Sequence, residues 1–67
     1  MENRKVSIII PAYNEESRIK NTLKPLVGHP LIDEVIVVDD GSSDNTGKRA
    51  WECGVIVSRL GKNMGKG

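Results

Sequence analysis

Two short polar segments carry the side chains of this chain that could do chemistry. Tyr13 and Glu15 follow an apolar run over residues 5–10, and Asp39 and Asp40 follow a second apolar run over residues 34–38. A tyrosine ring can lie flat against a nucleobase, and a carboxylate can accept hydrogen bonds from ribose hydroxyls or from a base N–H group. These residue types predict a nucleoside site.

Each segment also has a purely structural interpretation. Asn14 can cap a helix that begins at Glu15, with Tyr13 packed beside it. Asp39 can accept hydrogen bonds from backbone N–H groups in a turn around Gly41. Taken singly, each segment leaves the two interpretations open.

The elements that must position these side chains include three strands. Residues 5–10, 34–38 and 55–60 are rich in β-branched residues, and Pro11 is expected to stop the first strand because it has no N–H group. The second strand has no polar alternation, which is typical of a strand buried on both faces.

Two helices are expected between these strands. Ile19, Leu23 and Leu26 form an apolar stripe at helical spacing, on a helix that runs from Glu15 to about residue 24. A second, short helix over about residues 45–53 is expected to have Asp44 as its N-cap. Ser42 and Ser43 are likewise expected to be caps rather than ligands, and Gly54 suits the left-handed position after the helix.

The alternation of strands and helices predicts an α/β fold with a three-stranded parallel sheet of order 3-2-1 and two crossover helices. Neighbouring parallel strands bring their carboxyl ends over one crevice, so the two polar segments should face the same ligand. The chain resembles half of a domain, because its sheet would have two open edges. We therefore expect self-association through those edges.

Other candidate motifs fail on spacing or context. Gly61 and Gly65 are one residue too close for a phosphate loop, and Gly67 stands where its hydroxyl residue should be. No glycine follows the first strand, which argues against a dinucleotide-binding fingerprint. His29 is expected on the surface and Cys53 to be a small semi-buried residue. Residues 61–67 are expected to form a flexible tail.

Composition and charge give no sign of a nucleic-acid or membrane partner within these residues. The chain has 67 residues and a net charge of +1 with interspersed signs, so it carries no polybasic footprint for nucleic acid. It has neither an apolar run long enough to cross a bilayer nor a signal-peptide core. These features favour a soluble, cytoplasmic segment.

Three stretches of the sequence together resemble one family. Residues 7–16, 34–46 and 63–67 are similar to the start of family 2 inverting glycosyltransferases with the GT-A fold, nearest to dolichyl- or polyprenyl-phosphate sugar transferases. The resemblance implies transfer of a sugar from a nucleotide-diphosphate donor. It also allows a membrane or lipid-phosphate acceptor for a longer protein, at the cytoplasmic face of the membrane.

The resemblance implies roles in nucleotide binding for seven residues. Asp40 matches the carboxylate that binds the base, Asp39 supports its loop, and Glu15 matches the acid near the ribose. The remaining matches are the turn that holds the base and a lysine that borders the nucleotide, namely Pro11, Ala12, Tyr13 and Lys66.

The sequence departs from the family pattern in one respect. The Asp-X-Asp motif that places Mg²⁺ or Mn²⁺ on the diphosphate is missing, so no catalytic residue or metal ligand is predicted here. The fragment alone is expected to be inactive, because nothing would neutralise the leaving diphosphate. The rival hypotheses are a Rossmann-like nucleotide-binding module without transferase activity and a non-catalytic scaffold fragment.

Overall fold

The computed structural model describes residues 5–59 and the backbone of residues 62–66. These residues form four strands and two helices. In chain order the elements are β1 (Ser7–Ala12), α1 (Ile19–Leu23), β2 (Glu34–Asp39), α2 (Thr46–Glu52), β3 (Ile56–Arg59) and β4 (Lys62–Lys66).

The first three strands form a parallel sheet in the predicted order. β2 lies between β1 and β3, with Ile10 opposite Val37 and Val37 opposite Val57. Both crossovers contain a helix, so the predicted α/β fold is confirmed for these elements.

The core lies on one face of this sheet. Val35, Val37 and Val57 pack against Ile19 and Leu23 of α1, and Ala50 of α2 completes the cluster. Each fully buried aliphatic side chain of this kind stabilises the fold by about 1.5–3 kcal/mol. Both helices therefore cover the same face.

The opposite face of the sheet is only partly covered, which corrects the prediction that β2 is buried on both faces. Burial alternates along β2, and Ile36 and Val38 are half-buried. On the neighbouring strand, Ile9 is 64% exposed. The reason is that neither described helix reaches this face.

Strand β1 continues through Pro11 to Ala12, two residues beyond its predicted end. The carbonyl oxygens of Val6 and Ala12 both accept hydrogen bonds from the β2 segment. The backbone N–H and C=O groups of successive strand residues point to alternate sides. The backbone nitrogen of Pro11 therefore points to the open edge of β1, away from β2. Its missing N–H group therefore costs the sheet no hydrogen bond.

Helix α1 begins at Ile19 rather than at Glu15, so the prediction that Asn14 caps it is wrong. Asn14 has a φ of +50°, in the left-handed region, and it bonds to the loop after β2 instead. At the other end the helix stops before Pro25, as predicted.

Helix α2 begins at Thr46 with Asn45 at its N-cap position, one residue after the predicted cap Asp44, and the Asn45 side chain makes no capping hydrogen bond. The Oδ1 atom of Asp44 accepts a hydrogen bond from the Thr46 N–H group at 3.0 Å. Gly54, just after the helix, has the expected left-handed φ of +82°.

A fourth strand lies within the stretch expected to be a flexible tail, residues 61–67, of which residues 61 and 67 lie outside the described residues. The backbone of Lys62–Lys66 pairs with β3 in the antiparallel direction. Backbone pairing needs no apolar pattern, which explains why no pattern in the sequence indicates this strand. Among the described strands, the outer edges are then β1 and β4. No helix within the described ranges is long and apolar enough to span a membrane.

Candidate nucleotide site

The carboxyl ends of β1 and β2 are joined directly by their backbones. The N–H group of Asp40 donates to the carbonyl oxygen of Ala12 at 2.9 Å. Tyr13 follows Ala12 and is 59% exposed, and Asp40 is also exposed. An aromatic ring and a carboxylate thus stand on adjacent loops at one edge of the sheet.

The two predicted residues before Tyr13 differ in exposure. Pro11 is exposed on the sheet face that the helices leave open. Ala12 is buried, and its methyl group belongs to the core. The Ala12 side chain is therefore not available to a ligand.

The adjacent acids Asp39 and Asp40 have opposite surroundings. Asp39 is 1% exposed, and its Oδ1 atom accepts a hydrogen bond from the Ser42 N–H group at 2.9 Å. Its Oδ2 atom lies 3.9 Å from Nε of Arg59, whose guanidinium also donates to the Ser42 carbonyl oxygen at 2.9 Å. Asp39 therefore holds the loop, and Asp40 is the acid that a ligand can reach.

Glu15 lies on the first loop and is half-buried. Its carboxylate forms an ion pair with Arg18 at 2.9 Å, and its backbone N–H group donates to Oγ1 of Thr46 at 2.7 Å. The second contact fixes the start of the Glu15 turn against the first residue of α2.

Asp44 and Thr46 form the buried side of this junction. The Thr46 hydroxyl is fully buried and donates to the Asp44 carboxylate. That hydrogen bond is the main reason that the pKa of Asp44 lies below its usual value, and backbone N–H groups of Thr46 and Glu16 act in the same direction. The other Asp44 oxygen accepts from the Glu16 N–H group at 3.2 Å.

Lys66 is not brought together with the other predicted residues. It pairs with Ile56 at the start of β3, whereas Arg59 at the end of β3 aligns with Asp39. Three residues of strand correspond to about 10 Å. The expected place of Lys66 beside a nucleotide stays a prediction.

The candidate site is an exposed surface, since both Tyr13 and Asp40 are exposed. A cavity of about 180 Å³ lies at the opposite end of the strands, where it is lined by Ile32, Val35 and Val55. Its position near the amino ends of the strands separates it from Tyr13 and Asp40.

Comparison with known sequences decides the family. Residues 7–67 match the family described as Glycosyl transferase family 2. The chain belongs to glycosyl transferase family 2. The resemblance carried by the three sequence stretches is thereby confirmed at the level of the family.

Relatives within family 2 act on different sugars and acceptors. The chain is 52% identical over 48 residues to the UDP-N-acetylglucosamine–dolichyl-phosphate N-acetylglucosaminyltransferase of Methanococcus voltae, covering 72% of this chain and 19% of the relative. It is 48% identical over 60 residues to the glucosyl-3-phosphoglycerate synthase of Mycolicibacterium smegmatis, covering 84% of this chain and 20% of that one. The chain therefore spans about a fifth of the length of these relatives.

A solved family 2 structure has the same fold over the matched part. Glucosyl-3-phosphoglycerate synthase from Mycobacterium tuberculosis, in complex with Mn²⁺, UDP-glucose and glycerol 3-phosphate, matches with a TM-score of 0.74 and 42% identity. The match covers 85% of this chain and 21% of that chain. These neighbours have the GT-A fold, as the sequence resemblance implies.

The described residues do not fit the metal found in that family 2 complex. Within residues 5–59 and 62–66, no three His, Cys, Asp or Glu side chains are grouped so that they could hold an ion. Asp39 and Asp44 are already engaged by Arg59 and Thr46. No ligand for Mg²⁺ or Mn²⁺ is assigned here.

Several residues that shape the candidate site were not predicted from the sequence. Asn14, Ser42, Thr46 and Arg59 all bridge neighbouring loops or strand ends. For Arg59 a signal existed, because the predicted strand order places the end of β3 beside Asp39. For Asn14 the residue type was a weak signal, because asparagine adopts the left-handed conformation more readily than most residues, but it does not indicate which loop Asn14 contacts.

Proposed function

We propose that this chain forms the nucleoside-binding part of a glycosyltransferase that moves a sugar from a uridine-diphosphate donor to an acceptor, with inversion at the anomeric carbon. The observation that carries the proposal is the backbone hydrogen bond between Asp40 and Ala12. It sets two exposed groups, the Tyr13 ring and the Asp40 carboxylate, on adjacent loops. Uridine is favoured because the relatives named above use or bind UDP-linked sugars.

The chemistry of uridine suits these groups. Its base has one N–H donor, which a carboxylate such as Asp40 can accept, and a flat face that the Tyr13 ring can cover. Pro11 and the Ala12 backbone would border the base from β1. Asp39 would act only through the loop that it holds.

Glu15 would serve the ribose. Its ion pair with Arg18 is mostly exposed, and such surface pairs contribute little free energy. Ribose hydroxyls can therefore share the Glu15 carboxylate without a large penalty. Membership in a transferase family favours this proposal over a nucleotide-binding module without transfer chemistry or a bare scaffold.

An NMR titration of the 67-residue chain with UDP tests the proposal. We expect the amide signals of Tyr13, Glu15 and Asp40 to shift on binding. Replacing Asp40→Asn should weaken binding by about tenfold, because a hydrogen bond to a charged acceptor becomes one to a neutral acceptor.

Glu34→Gln is the matched control. The substitution removes the same charge, but Glu34 begins β2 and so lies at the opposite end of the strand from Asp40, which follows it. It should leave UDP affinity unchanged. Shifts confined to residues 61–67, or an equal loss of affinity in both variants, would contradict the proposal.

A further inference from the structure

Asn14 has an unusual backbone for its residue type. Among the described residues other than glycine, it alone has a positive φ, at +50°. This conformation costs most residues free energy, although asparagine tolerates it better than most. The left-handed turn lets the backbone and the side chain of Asn14 both face the loop after β2.

Asn14 uses both of these groups across the gap between the loops. Its backbone N–H group donates to Oγ of Ser42 at 2.8 Å. Its side-chain Oδ1 atom accepts from the Ser43 N–H group at 2.9 Å, and the Ser43 hydroxyl lies 3.4 Å from the same oxygen. One residue thus fixes two successive residues of the opposite loop.

Ser42 is a rigid partner for this contact. It is 1% exposed, its N–H group donates to Asp39 and its carbonyl oxygen accepts from Arg59. Through Ser42, Asn14 is therefore connected to the buried Asp39 on β2 and to Arg59 at the end of β3.

The residues on either side of these bonds are the proposed ligand contacts. Tyr13 directly precedes Asn14, and Asp40 comes two residues before Ser42. We propose that Asn14 is a positioning residue, which locks the two loops together so that Tyr13 and Asp40 face one nucleoside. This inference rests on the proposed function, but the lock itself can be measured without a ligand.

Substitutions at Asn14 can separate its acceptor oxygen from its backbone conformation. Asn14→Gly keeps the left-handed turn and removes the acceptor. Asn14→Gly has two opposing effects on stability. Glycine relieves the strain of a positive φ, which raises stability, and the loss of a hydrogen bond lowers it. Asn14→Asp keeps an acceptor oxygen and tolerates the same conformation.

Three readouts test the lock: the hydrogen exchange of the Ser43 amide, the amide shifts of Tyr13 and Asp40, and the dissociation constant for UDP. In Asn14→Gly we expect faster exchange at Ser43, altered amide shifts at Tyr13 and Asp40, and a UDP affinity lower by about fivefold to tenfold. Asn14→Asp should restore the protection of Ser43. That variant is scored by exchange alone, since its added charge would itself weaken binding of a diphosphate.

Gly28→Ala is the control for general loss of stability. Gly28 has a φ of +82° and lies outside both loops, so alanine strains the backbone there. We expect lower stability with unchanged UDP affinity. Unchanged exchange at Ser43 in Asn14→Gly, or UDP affinity within twofold of the unmodified chain, would overturn the inference. If the unmodified chain fails to bind UDP, the proposed function fails; the lock is then supported or overturned by the Ser43 exchange and the shifts of Tyr13 and Asp40.

Discussion

Asp39 and Asp40 show how the period of a strand separates two identical side chains. Asp39 follows Val35 and Val37 on the buried face of β2, where Ser42 and Arg59 satisfy its carboxylate. Asp40 lies one residue further, so it points away from that face and is exposed. An ionised carboxylate stays buried only when it is paired and hydrogen-bonded. Asp40 is therefore the acid of the two that a ligand can reach.

At the same scale, Asp44 should make stability depend on pH. The hydrogen bond from the Thr46 hydroxyl is the main reason that the pKa of Asp44 lies below its ordinary value of 3.8. A lowered folded-state pKa contributes stability that is present above 3.8 and is lost as the pH falls through the folded-state value. Replacing Asp44→Asn should remove this contribution, so the stability gap between the two proteins should narrow on acidification.

Urea unfolding between neutral pH and about pH 2 measures that gap. The pKa of Glu52 is also lowered, mainly by Lys20 and then by Arg49, so some acid sensitivity should remain in Asp44→Asn. Glu52→Gln is the matched control, since it should remove that separate contribution. A gap between the unmodified chain and Asp44→Asn that stays constant on acidification would contradict the prediction.

At the scale of elements, the sequence predicted what depends on apolar pattern. The three parallel strands and their order follow from β-branched runs and crossover rules. The side of the sheet that stays open could not be predicted, because Val35 and Ile36 are equally apolar.

The first helix shows why boundaries and the site's supports were harder to predict. Residues 15–18 have a helix-like composition, yet Glu15 and Glu16 bond their backbone N–H groups to Thr46 and Asp44. Those partners lie about thirty residues away, in the loop after β2 and the start of α2. A local pattern cannot show tertiary bonds of this kind, and they delay the helix to Ile19.

Gly41 gives a testable consequence for the loop after β2. Its φ is +74°, and a Cβ atom added there would meet nothing within 4 Å. Alanine would therefore cost only conformational strain, about 1–2 kcal/mol of unfolding free energy. Because Gly41 lies between Asp40 and Ser42, we expect that strain to move the loop and to weaken UDP binding several-fold.

Gly28→Ala separates strain from site geometry. Gly28 has a φ of +82° and the same free space around its Cα, but it lies outside the loops that form the site. Thermal unfolding should show a similar loss of stability in both variants, and isothermal titration with UDP should show weaker binding only in Gly41→Ala. Equal affinities in the two variants would show that the Gly41 loop does not shape the site.

At the scale of the whole molecule, the helices within the described residues form one layer, which covers one face of the sheet. The helices cover Val35, Val37 and Val57, whereas Ile9 remains 64% exposed on the other face. Ile9 also belongs to β1, whose alternate backbone groups face an open edge. An apolar side chain beside an unpaired edge favours pairing with another chain.

The chain should therefore self-associate through β1. Sedimentation velocity should show a sedimentation coefficient that rises with concentration, since two copies of an open edge can pair around a twofold axis. Replacing Ile9→Lys should weaken this association by about tenfold or more, because a charge on an edge strand opposes pairing and the burial of one isoleucine is lost. Leu31→Lys is the matched control, since Leu31 is 72% exposed but lies in the loop before β2. An equal loss in both variants would indicate non-specific apolar association, and a concentration-independent monomer would contradict the role of the β1 edge.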